Sequence, residues 1–343
     1  MTDFPPRTAI DYRDGVIRFI DQRCLPHRLK IVETDDYRVL AKALKSLAIR
    51  GAPLIGVAAA FGVAAEARVT AGRADARDQI QKAIQALKQT RPTAVNLFAA
   101  LEIMTGVLST AEIGDLAGKL EEAAISIYED DRKSCDQIAT TGLPLIPANA
   151  RIVTICNTGF LATAGIGTAL GVISKAAKKG RVREVFALET RPLLQGARLT
   201  AWELVQSDIP VTLLADGAVG SLLARGEVDL AIIGADRIAA NGDTANKIGS
   251  LQLALACIRF EVPLYVAAPW TTVDAATPTG SGIQIEERPA SEVTHFGGKV
   301  VAALGVKVFN PAFDIVEAEL ISGFITDRGL FRPPYDFNTF LRK

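Results

Sequence analysis

The chain is poor in the groups that build metal centres and disulfide frameworks: its 343 residues include four cysteines and two histidines. Cys24, Cys135, Cys156 and Cys257 lie far apart, with no CxxC or Cys/His spacing. That pattern argues against a zinc site and a disulfide scaffold, and fits a reducing cytoplasm. His27 and His295 stand outside every other polar cluster, so hydrolase triads of the Ser/His/Asp or Cys/His kind have little support. An excess of charge is also missing. Basic and acidic residues number 38 each, so no bulk field draws the chain to nucleic acid or an acidic membrane. The start, MTDFPPR, carries acid and proline where an export signal needs a basic and then an apolar segment. What remains is an ordinary globular composition, 49% hydrophobic and 22% charged, with length enough for two cores.

One uncharged run, residues 152–174 (IVTICNTGFLATAGIGTALGVIS), is long enough to cross a bilayer. Its glycines, threonines and asparagine fit a strand, a Gly-rich turn and a packed helix instead, and no membrane span is expected. Up to about residue 145 the apolar spacing is helical, over 36–48, 51–71, 74–90, 93–108 and 111–141. A short β region, Gly15 to Asp21, precedes them and is closed by Leu25-Pro26. Two prolines in Leu143-Pro-Leu-Ile-Pro147 then break the periodicity. Beyond them strands alternate with helices, with strands near 151–156, 183–188, 211–215, 229–233, 263–267 and 305–309. The expected architecture is α/β: a mainly helical cap over residues 1–145 and a doubly wound, Rossmann-like parallel sheet over 146–343.

In open parallel sheets, ligands bind beyond the carboxyl ends of the strands, so the groups at those ends carry the functional signal. The strand in VDLAIIGADRIAANGDTANKIGS runs into Asp236. A turn at Asn241-Gly242-Asp243 follows, and Asn246-Lys247 is expected at the start of a helix. Asp236 also reads as a turn residue or a partner of Arg237. Cys156 is read as the last residue of ARIVTIC, facing a helix amino terminus that favours thiolate; a small buried hydrophobe is the other reading. The spacing of Gly165, Gly167 and Gly171 misses the dinucleotide fingerprint by one position, and no ribose-reading acid follows the next strand, so a nicotinamide cofactor is not expected. A helix after Glu189-Thr190-Arg191-Pro192 sets Arg191, Gln195 and Arg198 one turn apart, suited to hydroxyls or phosphate, or to a surface ion-pair cluster around Glu189. Arg50-Gly51-Ala52-Pro53 and Arg91-Pro92 put arginines at helix edges, where planar forks suit phosphate oxygens. Asp216 and Asp274 read as cap or turn residues.

Taken in order, RGAPLIG (50–56), RPTAVNLF (91–98), CNTGFLAT (156–163), ETRPLLQGARLTAWEL (189–204), GADRIAANGDTANKIG (234–249) and NPAFD (310–314) resemble the methylthioribose-1-phosphate isomerase family, as does DQRCLP (21–26). The resemblance spans nearly the whole chain. It implies a homodimer that converts a cyclic aldose 1-phosphate to a ketose 1-phosphate without metal or organic cofactor. By motif it assigns Cys156 and Asp236 as the catalytic pair, and Arg50, Gly51, Ala52, Arg91, Gln195, Asn246 and Lys247 as substrate-binding residues. Ile155 and Leu188 depart from the family pattern, standing where a histidine and an acid are common. These apolar residues, expected to adjoin the site, are compatible with an uncharged C5 substituent. A 5-deoxyribose 1-phosphate or another 5-modified pentose 1-phosphate is the alternative substrate. Ribose-1,5-bisphosphate isomerase and a non-catalytic regulatory subunit of a translation-initiation exchange factor complete the alternatives.

Overall fold

The computed structural model describes residues 4–5, 7–91 and 94–337. Pro92 and Thr93 of the RPTAVNLF element, and Met1–Asp3 and Pro6 of the amino-terminal segment, lie outside the described residues. The chain divides into two compact units, Met1–Asp136 with Thr158–Gly171, and Gln137–Asn157 with Val172–Lys343. The division is therefore discontinuous in sequence.

The first unit opens with an antiparallel sheet, β1 (Ile10–Arg13), β2 (Val16–Ile20) and β3 (Ile31–Thr34), in the order β1-β2-β3. Asp14 and Gly15, at φ 53° and 85°, make the two-residue hairpin turn between β1 and β2. Four helices follow, α1 (Tyr37–Lys45), α2 (Ala52–Val69), α3 (Ala76–Lys88) and α4 (Val95–Thr110), and then the long α5 (Leu116–Gly142). Helices α1, α2 and α3 lie within their segments of helical spacing, and α4 and α5 run two and one residues past the ends of theirs. Helix α2 is apolar on every face, so it is the core helix: every residue from Leu54 to Ala67 is buried. It is long and apolar enough to cross a membrane by composition alone, yet 78% of it is covered by the protein's own packing. At Gly56 the backbone of α4 comes so close that a Cβ would stand 2.6 Å from the Asn96 carbonyl.

The second unit is built on β4 (Ala150–Thr154), α6 (Ala169–Lys178, split with the first unit), β5 (Val182–Leu188), α7 (Ala201–Val205), β6 (Val211–Leu214), α8 (Val219–Leu223) and β7 (Leu230–Ile233). After these come β8 (Arg237–Ala239), β9 (Thr244–Lys247), α9 (Ser250–Arg259), β10 (Leu264–Ala267) and β11 (Val273–Asp274). A helical turn, α10 (Ser291–Thr294), leads into a hairpin of β12 (His295–Phe296) and β13 (Lys299–Val300), and β14 (Phe313–Val316), β15 (Gly323–Thr326) and β16 (Gly329–Phe331) end the series. The main sheet has the order β16-β15-β10-β7-β4-β5-β6, parallel except for β16. Without that edge strand it is the Rossmann order 3-2-1-4-5-6. Strands β7, β10 and β15 are buried along their whole length, as expected of continuous apolar runs in a parallel sheet.

The strand expected at 305–309 does not form. Its alternating valines mimic a strand, but Val306 and Phe309 are 52% and 82% exposed and pair with nothing in the sheet. Gly323–Thr326 takes the sixth parallel place instead. A second, smaller sheet runs β11-β8-β9-β14. The turn at Asn241-Gly242-Asp243 thus closes a hairpin, and Asn246-Lys247 ends strand β9 rather than starting a helix; α9 begins at Ser250.

Candidate active site

The chain runs outward from β4 to β5 and β6, then returns to β7 on the other side of β4. Loops leaving β4 and β7 therefore diverge, which opens the crevice where such sheets bind ligands. Cys156 lies just past the end of β4 and Asp236 just past the end of β7. The two strands pair directly, Ile152 with Leu230 and Val153 with Ala231, and the Thr154 hydroxyl donates to the Ile232 carbonyl at 2.8 Å. The sheet itself thus brings Cys156 and Asp236 to neighbouring strand ends. Both are half-buried.

Cys156 is not the last residue of its strand, which ends at Thr154, and the next α-helix of the chain starts only at Ala169. The helix amino terminus assigned to it from sequence is not what fixes it. Its φ of 62° is left-handed. Its N–H donates to Thr190 Oγ1 at 2.9 Å and its carbonyl accepts from Thr200 Oγ1 at 2.6 Å. The next residue, buried Asn157, donates from Nδ2 to Glu203 Oε1 at 2.7 Å and to Thr200 Oγ1 at 3.2 Å. By contrast Cys135 and Cys257 sit in regular helices, where burial pushes their thiols up to about 12, the range of inert core cysteines.

Asp236 donates its N–H to the Ala245 carbonyl at 2.9 Å, beside Asn246. Asn246 pairs in register with Asp314 on β14, so their side chains share one face of the small sheet. Asn246 Nδ2 donates to Ser250 Oγ at 2.8 Å, while Lys247 Nζ donates to the Ala312 carbonyl at 2.9 Å and lies over the Phe313 ring. Asp314 Oδ2 accepts the Gly249 N–H at 2.8 Å, and its buried Oδ1 has no hydrogen-bond partner among the described residues. Burial raises its carboxyl above the usual range, against the opposing pull of that N–H and of Lys247.

Gln195 reaches this edge through a tight contact: a Cβ on Gly196 would stand 1.7 Å from the Leu188 carbonyl, so only glycine lets the segment lie on β5. The Gln195 side chain is buried, and its Oε1 has no hydrogen-bond partner among the described residues. The regular helix expected from Arg191 onward is a turn followed by a π-helical stretch, Gly196–Thr200, a form that concentrates at functional sites. Arg191 is spent on the Pro192 and Val293 carbonyls and stacks on Phe296, and Arg198 donates to the Leu193 carbonyl. The ion-pair cluster around Glu189 is absent among the described residues. Asp274 is the turn residue expected, accepting the Ala276 N–H and the Thr277 hydroxyl, whereas Asp216 begins a 3-10 helix and its carboxylate accepts the Thr190 and Arg191 N–H groups from beyond the end of β5. Arg237 pairs with Asp274, not Asp236.

In the first unit, Arg50, Gly51 and Ala52 form the amino terminus of α2, and Gly51 provides no side-chain cap. Its φ is 99°, and a Cβ there would lie 2.5 Å from both Cα and O of Ala162. The 158–171 segment thus packs against the start of α2, held also by Gln22 Nε2 on the Leu161 carbonyl at 2.7 Å and by Asp131 Oδ2 on the Ala164 N–H at 2.6 Å. Uncapped N–H groups and a helix dipole favour an anion at such an end. Arg91 is half-buried on the segment leading into α4, whose first turn meets α2 at Gly56. Gly165 and Gly167 serve packing, on Cys135 and on Thr158–Gly159 respectively.

The model of the initiation factor 2 subunit family matches residues 48–333. The chain belongs to the initiation factor 2 subunit family. Among its relatives, methylthioribose-1-phosphate isomerase of Pelotomaculum thermopropionicum is 50% identical over 96% of this chain and 92% of the relative. The protein of the same name from Anaeromyxobacter sp. (strain K) is 49% identical over 98% and 97%. The solved structure of 5-methylthioribose 1-phosphate isomerase from Pyrococcus horikoshii OT3 superposes with a TM-score of 0.92 at 37% identity, over 99% of this chain and 96% of that one. A second family structure, called translation initiation factor eIF-2B, subunit delta, from A. fulgidus, gives 0.89 at 38% identity, over 98% and 99%.

Several residues of this family member escaped the sequence reading as site components. Thr190 and Thr200 lie inside the ETRPLLQGARLTAWEL block and Asp314 ends NPAFD, so the blocks marked them without revealing a role. Ile155 and Leu188 are each 1% exposed and belong to the hydrophobic core of the second unit, so neither lines an open site. Ile155 does approach the site's framework, its Cδ1 3.1 Å from where a Cβ on Gly249 would sit.

Proposed function

We propose that the protein is an intramolecular aldose–ketose isomerase that converts 5-methylthioribose 1-phosphate to 5-methylthioribulose 1-phosphate, a step of methionine salvage. The observation that carries the reading is the pair Cys156 and Asp236 at the ends of the two strands flanking the switch point. Full-length relatives bearing that name at about half identity support it. Phosphorylation at C1 removes the free anomeric hydroxyl through which a sugar ordinarily opens, so the C1–O4 bond must be broken by an acid. Asp236 donates a proton to O4 as that bond breaks. Cys156 serves the shift of one hydrogen from C2 to C1, and the C2 hydroxyl loses its proton as the carbonyl forms, so the product is an isomer of the substrate. In the first unit Arg50, the amino terminus of α2 at Gly51 and Ala52, and Arg91 are suited to a phosphate; in the second, Lys247 is suited to a phosphate and Gln195 and Asn246 to sugar hydroxyls. A cytoplasmic homodimer completes the reading. Exposed Leu304 and Phe309 offer apolar surface to a second copy, and all four cysteines are free thiols.

The test is conversion of 5-methylthioribose 1-phosphate, 5-deoxyribose 1-phosphate and ribose 1,5-bisphosphate, followed by NMR. The first is expected to yield ketose fastest, and Asp236→Asn and Cys156→Ser each to lower kcat by orders of magnitude with KM largely kept. No ketose from any of them would refute the enzyme reading. The resemblance to the A. fulgidus structure favours a second reading, a non-catalytic subunit. That outcome would leave it standing.

A further inference from the structure

We propose that Thr190 and Thr200 are positioning residues that hold Cys156 in its reactive conformation, an inference that rests on the isomerase reading for its catalytic meaning. A residue with a Cβ is uncommon in the left-handed region, and persists there only when its surroundings over-determine it. At Cys156, φ 62°, they do. Thr190 Oγ1 donates to the Leu188 carbonyl at 2.9 Å, and so presents a lone pair to the Cys156 N–H. Thr200 Oγ1 spends its proton on the Cys156 carbonyl and presents its lone pair to Asn157 Nδ2. Both polar backbone groups of Cys156 are therefore gripped, one from the end of β5 and one from the π-helical stretch. Without the grip the residue relaxes to an ordinary φ, which swings its Cα–Cβ bond and moves the sulfur.

The grip is itself anchored. Thr190, also left-handed at φ 67°, has its own N–H held by Asp216 Oδ1 at 2.8 Å, and Asn157 is held by Glu203. Bonds thus run across the carboxyl edge of the sheet from the end of β6, through β5, to the end of β4. Both threonines are wholly buried, so neither hydroxyl meets substrate and each acts through Cys156.

The experiment compares Thr200→Val and Thr190→Val, which keep shape and lose the hydroxyl, with Thr200→Ser and Thr190→Ser, which keep the hydroxyl. Two quantities are read: kcat and KM with 5-methylthioribose 1-phosphate, and the iodoacetamide alkylation rate of the peptide containing Cys156. Each valine variant is expected to lose about tenfold in kcat, the size of one hydrogen bond, with KM within twofold. Each serine variant should recover most of the loss, and alkylation at Cys156 should follow the same order while Cys24 labelling stays constant. Valine variants with wild-type kcat and wild-type alkylation, or serine and valine variants equally impaired, would overturn the proposal. If Thr200→Val does not fold, the Thr190 pair decides by the same criteria. If the wild type shows no turnover, the isomerase reading fails alone. The alkylation contrast between valine and serine variants then upholds or overturns the grip.

Discussion

Replacing Asp131 by asparagine should flatten the dependence of stability on pH between roughly pH 4 and pH 7. Asp131 lies on α5, and its Oδ2 accepts the Ala164 N–H at 2.6 Å, tying down the segment that carries the chain away from Cys156. Burial pushes its carboxyl from 3.8 up to about 6, and that single N–H only partly offsets the cost. With the folded value above the unfolded one, the native chain keeps a proton through a window in which the unfolded chain has lost it. Stability from this group is therefore fully present below about pH 4, falls as pH rises toward 6, and is level above. A displacement of that size is worth about 3 kcal/mol across the window. Asparagine keeps an acceptor for Ala164 but does not titrate. Its Nδ2 adds a fixed offset if left unpaired, so the slope with pH, rather than the absolute stability, is the readout. Urea midpoints of wild type and variant, followed by circular dichroism at intervals of pH, measure it. Parallel curves for the two proteins would show that Asp131 does not titrate in this window and refute the reasoning.

Two further outcomes follow from close contacts and an orphaned atom. Gly51→Ala forces a methyl to within 2.5 Å of the Ala162 backbone at a φ of 99°. It should lower stability by about 3 kcal/mol, seen as a fall in the calorimetric Tm, and weaken substrate binding with it; an unchanged Tm would show that the 158–171 segment yields easily. Gln195→Leu removes a buried acceptor that has no partner among the described residues. KM should rise at least about tenfold while Tm holds or increases, because an unmet polar atom is gone. A large fall in Tm with KM unchanged would make Gln195 a packing residue.

The helices of the first unit were legible because their signal is local: each apolar stripe lies within one segment, and α2 betrays its central place by being apolar all round. Strands were legible where burial on both faces produces a continuous apolar run, as at β7 and β10. The failures lie where pairing partners are remote in sequence. Residues 305–309 alternate like a strand but find no neighbour, whereas Gly323–Thr326, short and opened by a glycine, is recruited beside β10. Asn246-Lys247 looked like a helix start because the hairpin that captures it depends on Arg237–Ala239 and on Phe313–Val316. In the site, the sequence marked Cys156 and Asp236 by their position after apolar runs. It concealed the means of holding Cys156, since two threonines far along the chain supply it. Nor could it show that Ile155 and Leu188 turn into the core.

Residues 158–171 fold with the first unit although the chain on either side of them belongs to the second. The contacts that hold this excursion, Gln22 with Leu161, Gly51 with Ala162 and Asp131 with Ala164, join residues from one end of a long sequence interval to the other. No single cut divides the chain into its two compact units. In a chimaera of two family members joined at one crossover, every such pair comes from one parent only when the junction falls before Gln22 or after Ala164. A junction between Gly51 and Ala162 mates a glycine of one lineage with a backbone of another that would stand only 2.5 Å from a Cβ at that position, where small differences are least forgiven. The excursion thus makes most of the amino-terminal half a single heritable block.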